Sequence, residues 1–261
     1  MKLLKRKKEG VFIMLKLVRV FSIAIALAFL VTGSAFAEAL SYKMPSLYVV
    51  KTKVAMKMDA KTLESSWKTA ANVATTMNHW ETTATKKWTK VKPSGAASVS
   101  TLKYLWDAKN IYVFIVVKDL QNYTGDINPV SFDSVEYHID AKNCDRTSYN
   151  GKCDAQYRLS RPYKRANGKT YTDVSGWGAY NAAAFRVNSK CIGTSSSYTQ
   201  EVKIVLAHHG VATLKAKQKV GFDIQVNDAS PVTAGRRFQI VWNSMDNAWI
   251  NPSTMGTLIM K

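Results

Sequence analysis

The sequence predicts an all-β protein: an antiparallel, jelly-roll-like β-sandwich with long loops and little helix. Three observations lead there. In 221–228, Phe222, Ile224 and Val226 alternate with Asp223, Gln225 and Asn227, the period-2 pattern of a strand with one apolar and one polar face. The runs 101–106 and 111–119 are rich in β-branched and aromatic residues. They are separated only by Asp107-Ala108-Lys109-Asn110, which reads as a hairpin. Several further short runs of this kind follow one another with turn residues between them, and no sustained helical period competes.

Taken in order, the chain of 261 residues opens on a basic segment holding Lys2, Lys5, Arg6, Lys7, Lys8, Lys16 and Arg19. An apolar run of 11 residues, 21–31, follows and then Ala35-Phe36-Ala37. The run is too short to span a bilayer, and the small-x-small triplet is a cleavage pattern. Residues 1–37 are therefore expected to be a signal peptide removed near Ala37, giving a secreted protein, extracellular or periplasmic. Residues 38–53 read as an N-terminal lead-in and 54–261 as one sandwich domain. Within the domain, 51–57 reads as a first strand and 63–68 as a helical turn burying Trp67. The Thr- and Lys-rich stretch 72–93 reads as loop or edge. After the hairpin, 133–140 sets Val135, Tyr137 and Ile139 on one face and Glu136, His138 and Asp140 on the other. The segment 154–160 returns with Gln156 and Arg158 outward. An insertion, 161–197, carries Trp177. Strands are expected at 198–206, 221–228, 237–242 and 257–260, with His208-His209-Gly210 as a surface turn. Trp67 and Trp106 read as core, and Trp242 as either core or site.

Charge and cysteines bound the partners. The chain has 37 Lys and Arg against 18 Asp and Glu, a net charge of +19. The leader holds 7 of the basic and 1 of the acidic residues, so the mature chain keeps 30 and 17, a net charge of +13. Such a protein is drawn to anionic surfaces. For an exported protein, an anionic cell-surface polymer fits better than nucleic acid. Cys144 and Cys153 enclose eight residues that include the turn pair Asn150-Gly151. A disulfide between them suits an oxidising compartment, with Cys153–Cys191 the competing pair. No Cys/His spacing fits zinc. Catalysis is not expected: Asp133 and Glu136 lie three apart on a strand and point to opposite faces, and there is no nucleophile elbow or phosphate loop. Flat rings beside amides and carboxylates, as 221–228 and Trp249 offer, are the means of gripping a neutral, hydroxyl-rich ligand. Two alternatives remain open: a haem-binding electron-transfer sandwich using Met245, Met255 or His138, and a basic adhesion protein without a sugar pocket.

A set of motifs then occurs in one order. Asp59 precedes Trp67 by eight residues; Leu105-Trp106-Asp107 leads into Ile111-Tyr112-Val113 and Val117-Lys118-Asp119. Asp133-Ser134-Val135-Glu136, Ile139-Asp140, Asp154-Ala155-Gln156-Tyr157-Arg158, Glu201-Val202, 221–228, Trp249 and Gly256-Thr257-Leu258 follow. This set resembles the family 9 carbohydrate-binding modules of secreted xylanases, over roughly 54–261. The resemblance implies a monomeric, non-catalytic sandwich that binds polysaccharide or oligosaccharide, plant-type β-glycans such as cellulose and xylan at their chain ends, and that assists glycoside hydrolases non-covalently. Two Trp rings in that family enclose a terminal sugar. It implies Trp249 as one ring, Glu136 as the carboxylate, Arg158 as the guanidinium and Gln225 as the amide, with Asp246 near the place of a sugar-contacting Asn. The other ring is expected six residues before the carboxylate, where this chain has Val130 after Asn128-Pro129; Phe132, Tyr123 or Trp177 would have to replace it. The family also implies structural calcium, for which Asp59, Asp119 and Asp140 offer oxygens, with Ala60 where a Gly is usual.

Overall fold

The computed structural model describes residues 45–261 apart from 61–63, 83–87, 92–96, 122, 124–131, 165–168, 172–173, 179–188, 195, 231–234 and 243–246, with some strand residues described by backbone alone. The strands are β1 (Ser46–Lys51), β2 (Asn78–Thr82), β3 (Trp88–Val91), β4 (Ser98–Trp106), β5 (Asn110–Lys118), β6 (Ser134–Asp140) and β7 (Asp154–Ser160). They continue as β8 (Tyr163–Lys164), β9 (Thr170–Tyr171), β10 (Val174–Gly178), β11 (Ser189–Gly193), β12 (Ser197–Val205), β13 (Lys219–Ser230), β14 (Gly235–Val241) and β15 (Gly256–Met260). The α-helix α1 (Ser65–Thr69) is one turn long.

These strands make a sandwich hinged on β1. Residues 46–49 pair with β15, and Val50 and Lys51 pair with β4, so one strand belongs to both sheets. Both of its pairings are parallel, a departure from the wholly antiparallel expectation; the remaining described ladders are antiparallel. The first strand is thus 46–51 rather than 51–57. Strand β1 thus lies inside the stretch read as a lead-in. One sheet runs β1-β4-β5-β12-β11; the other runs β15-β13-β6-β7-β10, with β14, β2 and β3 continuing from the far half of β13. The stretch 72–93, expected as loop or edge, supplies β2 and β3, with β3 paired only to β2.

Between the sheets lie Leu102, Ile111, Val113, Ile115, Val135, Tyr137, Ile139, Tyr157, Phe222, Ile224 and Val226, all buried. The continuous apolar run of β5 is buried on its second face as well. There Tyr112 and Phe114 pack with Trp67, Ala70 and Leu105 under α1. Trp67 also donates its indole N–H to Glu201 Oε1 at 3.1 Å. Glu201 Oε2 accepts the Asp59 and Ala60 backbone N–H groups at 3.0 and 2.8 Å, tying down the turn in which Ala60 has φ +54°. Trp242 is core. Its ring lies against Gly256, where an added Cβ would meet it at 2.6 Å, and beside Tyr104 at 6.0 Å. The expected surface turn at His208-His209 is a 3-10 turn in which, of the two histidines, only His208 is exposed. His209 is fully buried, 2.7 Å from Tyr157 Oη.

Candidate functional site

β6, β7, β13 and β14 place their second face away from the core, and that face is polar. Register aligns Glu136 with Arg158 on one side and Gln225 on the other, His138 with Gln156 and Asp223, and Asn227 with Ser134 and Gln239. Period-2 alternation reads such residues as solvated. Here Glu136, His138, Gln225, Asn227 and Gln239 are all buried; Tyr149 of the loop 141–153 contacts His138, and Trp249 lines a hollow beside Glu136. Buried polar groups need partners, and these form a network.

Glu136, 2% exposed, is its hub. Gln156 Nε2 donates to Oε2 and Asn227 Nδ2 donates to Oε1 at 2.9 Å. Arg158 Nε lies 3.6 Å and Arg236 Nη1 3.9 Å from Oε1; His138 Nε2 lies 3.4 Å from Oε2. Burial pushes this carboxyl up, but the His138 bond and charge, then Arg158 and Arg236, outweigh burial and hold it down at about 2. It is an anion throughout the ordinary pH range. Tyr149 Oη donates to Ala248 O at 2.7 Å, so its 3.1 Å contact with His138 Nδ1 has the ring as donor.

Above the hub the surface opens. A hollow of about 250 Å³ is lined by Glu136, Gln156, Arg158, Arg236 and Trp249. A neighbouring one of about 450 Å³ shares Gln156, Arg158 and Trp249 and adds Ser148, Tyr149 and Ile250. Trp249 is 50% exposed, and the Arg158 and Arg236 side chains 25% and 24%. A half-exposed indole beside fixed hydrogen-bonding groups matches the chemistry of sugar recognition: an apolar face for C–H groups and directional bonds for hydroxyls.

The expected residues divide. Trp249, Glu136 and Arg158 come together as anticipated. Gln225 does not reach the cleft. It is fully buried, and its Oε1 accepts from Gln239 Nε2 at 2.8 Å, so it supports the floor from beneath. Phe132 and Tyr123 pack on each other, ring centroids 5.5 Å apart, and line neither hollow. Trp177 is described by backbone alone, opposite Gln156 in the β10–β7 ladder. Val130 and Asp246 lie outside the described residues. Arg236 was missed for a definite reason. Strict alternation back from Gln239 selects Arg237, but a register shift between Asp228 and Ala229 sets Arg236 opposite Ala229, so the bulge moves Arg236 onto the polar face. Gln156 and Tyr149 carried no signal beyond their polarity.

Asp59, Asp119 and Asp140, expected as calcium ligands, do not converge on one ion. Asp59 sits 3.4 Å from Lys57 Nζ. Asp119 stands with Asp133 and Asp228, all buried and with oxygens within 4.8 Å of one another. Arg161 Nη1 already lies 2.8 Å from Asp119 Oδ2 and 3.3 Å from Asp133 Oδ2. Burial, then the Asp119 charge, pushes the Asp133 carboxyl up to about 8. The Arg161 guanidinium already neutralises two of these carboxylates, and calcium, which takes about six to eight oxygens, would have to share them with it. Asp140 lies with two thiols, Cys144 and Cys153, a donor set unsuited to a hard cation. Those sulfurs are 3.4 Å apart and present as free thiols, the Cys153 thiol pushed up to about 12 by burial and by Cys144. The side chain of Cys191 is not described. Of the residues considered for haem, His138 is committed to Tyr149 and Glu136, Met255 is buried, and Met245 lies outside the described residues.

Fold and cleft together define a class: a β-sandwich with a ligand cleft on the outer face of one sheet. Comparison with known proteins identifies the family. Residues 58–261 match the carbohydrate family 9 binding domain-like family, and the chain belongs to it. It is 33% identical over 165 residues to the exoglucanase XynX of Acetivibrio thermocellus and 31% identical over 185 residues to an endo-1,4-beta-xylanase A of Thermoanaerobacterium saccharolyticum. These matches cover 62% and 70% of this chain but 14% of each relative's length. In fold it is similar to a family 9 module from Caldicellulosiruptor kristjanssonii solved with cellotriose and with glucose. The TM-scores are 0.61 and 0.62 at 23% identity, over 83% of this chain and 93% and 95% of that one.

Proposed function

We propose that this chain is a secreted, non-catalytic binder of β-glycans of the cellulose and xylan type, taking the end of a chain. The observation that carries it is the half-exposed Trp249 beside Arg158, Arg236 and Gln156, fixed from below by the buried Glu136. Its relatives, xylan- and glucan-active enzymes and modules holding cellotriose or glucose, support the ligand class. A cleft whose carboxylate is saturated by protein groups supports a role in binding rather than bond cleavage, which needs an acid and a second carboxylate across the sugar. The basic leader supports export, and export supports a Cys144–Cys153 disulfide formed from thiols already side by side. A monomer that assists glycoside hydrolases non-covalently, with its positive charge adding affinity for anionic cell-surface polymer, completes the reading.

The test is a tryptophan-fluorescence titration with cellobiose, xylobiose and glucose. Saturable quenching or a spectral shift is expected, and Trp249→Ala is expected to remove it. Binding that survives this replacement with unchanged affinity overturns the site. Sequencing the exported protein's N-terminus, expected near Glu38, tests secretion.

A further inference from the structure

The cleft has a hydrogen-bond polarity that a neutral sugar does not require. A hydroxyl donates and accepts, so a site for neutral sugars is served best by a mixture of both. Among the described residues that line the smaller hollow, the carboxylate and amide acceptors are already engaged by protein donors. Glu136 is 2% exposed, its two oxygens taken by Asn227 and Gln156 and flanked by Arg158, Arg236 and His138. Gln156 Oε1 faces Arg158 Nη2 at 3.4 Å. Beside the engaged Glu136, the hollow is lined by two guanidiniums, Arg158 and Arg236, each about a quarter exposed and within 4 Å of the same carboxylate oxygen, Arg236 Nη1 also donating to Asn227 Oδ1 at 2.9 Å. Two like charges held on one oxygen are relieved by a second anion, and a guanidinium fork matches a carboxylate in geometry as well as charge.

Resting on the sugar-binding reading above, we propose that this cleft selects a sugar terminus bearing a carboxylate. The acid group lies against Arg158 and Arg236 while the ring stacks on Trp249. The shared chemistry is a sugar acid; a uronic acid and an aldonic acid, the oxidised chain end, are its two sources. A uronate keeps the closed ring that a stacking face needs, and an aldonate alone at a terminus does not.

Isothermal titration of the full chain with glucose, glucuronate and gluconate, and with cellobiose and cellobionate, at low and at high salt, decides it. Glucuronate is expected to bind about tenfold more tightly than glucose at low salt, the difference made by hydrogen bonds to a charged group. That advantage is expected to shrink as salt screens the partly exposed arginines. Preference for gluconate or cellobionate over their neutral counterparts instead assigns the aldonic acid. Arg236→Gln is expected to bring the acid-to-neutral ratio close to one, whereas Trp249→Ala weakens both ligands. If that arginine variant does not fold, the salt series on the natural chain decides alone. Equal binding of acids and neutral sugars overturns the acid preference and leaves the sugar-binding reading standing. A preference that ignores salt also overturns it. Binding of none of these sugars overturns both.

Discussion

Replacing Glu136 by Gln tests whether the buried carboxylate is the keystone of the cleft. The side chain keeps its shape and loses its charge. A carboxyl drawn from its ordinary 4.5 down to about 2 is favoured as the anion by about 3 kcal/mol. At 2% exposure no discount for solvent screening applies. The introduced amide would also turn an NH2 group toward groups that now donate to the carboxylate. The expected loss is therefore about 3 kcal/mol, on the order of 10 °C in melting temperature for a domain of this size. Thermal unfolding followed by circular dichroism across a pH series supplies the readout. The folded-state value is depressed, so the contribution is complete above pH 4.5 and disappears as pH falls from there through about 2. The gap between the natural chain and Glu136→Gln should be constant near neutrality and close over that acid window. A variant that melts within a degree or two of the natural chain and binds sugar equally well refutes the keystone argument.

Four further outcomes are expected. Ala60 sits at φ +54°, a conformation that costs an L-residue with a Cβ about 1–2 kcal/mol. Ala60→Gly should therefore raise stability in urea by about 0.5–1 kcal/mol after the extra entropy of Gly is counted, and a loss of stability contradicts this. Burial, then the charge of His208, pushes His209 down to about 4 from 6.5. The unfolded chain then takes up the proton first, so stability falls as pH drops from 6.5 toward 4, by up to about 3 kcal/mol. His209→Gln should flatten that slope in urea titrations, and an unchanged slope shows that the ring is open to protons. Arg161→Met strands Asp119 and Asp133 and should cost about 3–5 kcal/mol. The natural chain should melt unchanged in a calcium chelator, and a drop of several degrees would show that the cluster needs a metal after all.

Period-2 alternation was enough to place β6, β7 and β13 and to separate the core residues Val135, Tyr137, Ile139, Ile224 and Val226 from their polar neighbours. The pattern is local, and strands are read locally. The continuous apolar run of β5 is buried on both faces, α1 with Trp67 supplying the second cover. Trp249, Glu136 and Arg158 were legible because ordered motifs carry position along the chain as well as residue type.

What the sequence by itself determined is therefore the sandwich class, the inward faces of its strands and half of the cleft. Tertiary structure decided the rest. Only tertiary packing on the outer face, with Tyr149 against His138, buries Glu136 and His138 and converts polar residues read as solvated into a network. Only a bulge, whose extra residue leaves no trace in composition, brings Arg236 to the cleft. Gln225 passes from ligand contact to support because a neighbouring strand lays Gln239 against it. The Asp119, Asp133 and Asp228 carboxylates, drawn from three separate segments, meet only in space, and the guanidinium that joins them there is Arg161. Depth of burial and the convergence of distant side chains are properties of the folded surface, and no local pattern encodes them.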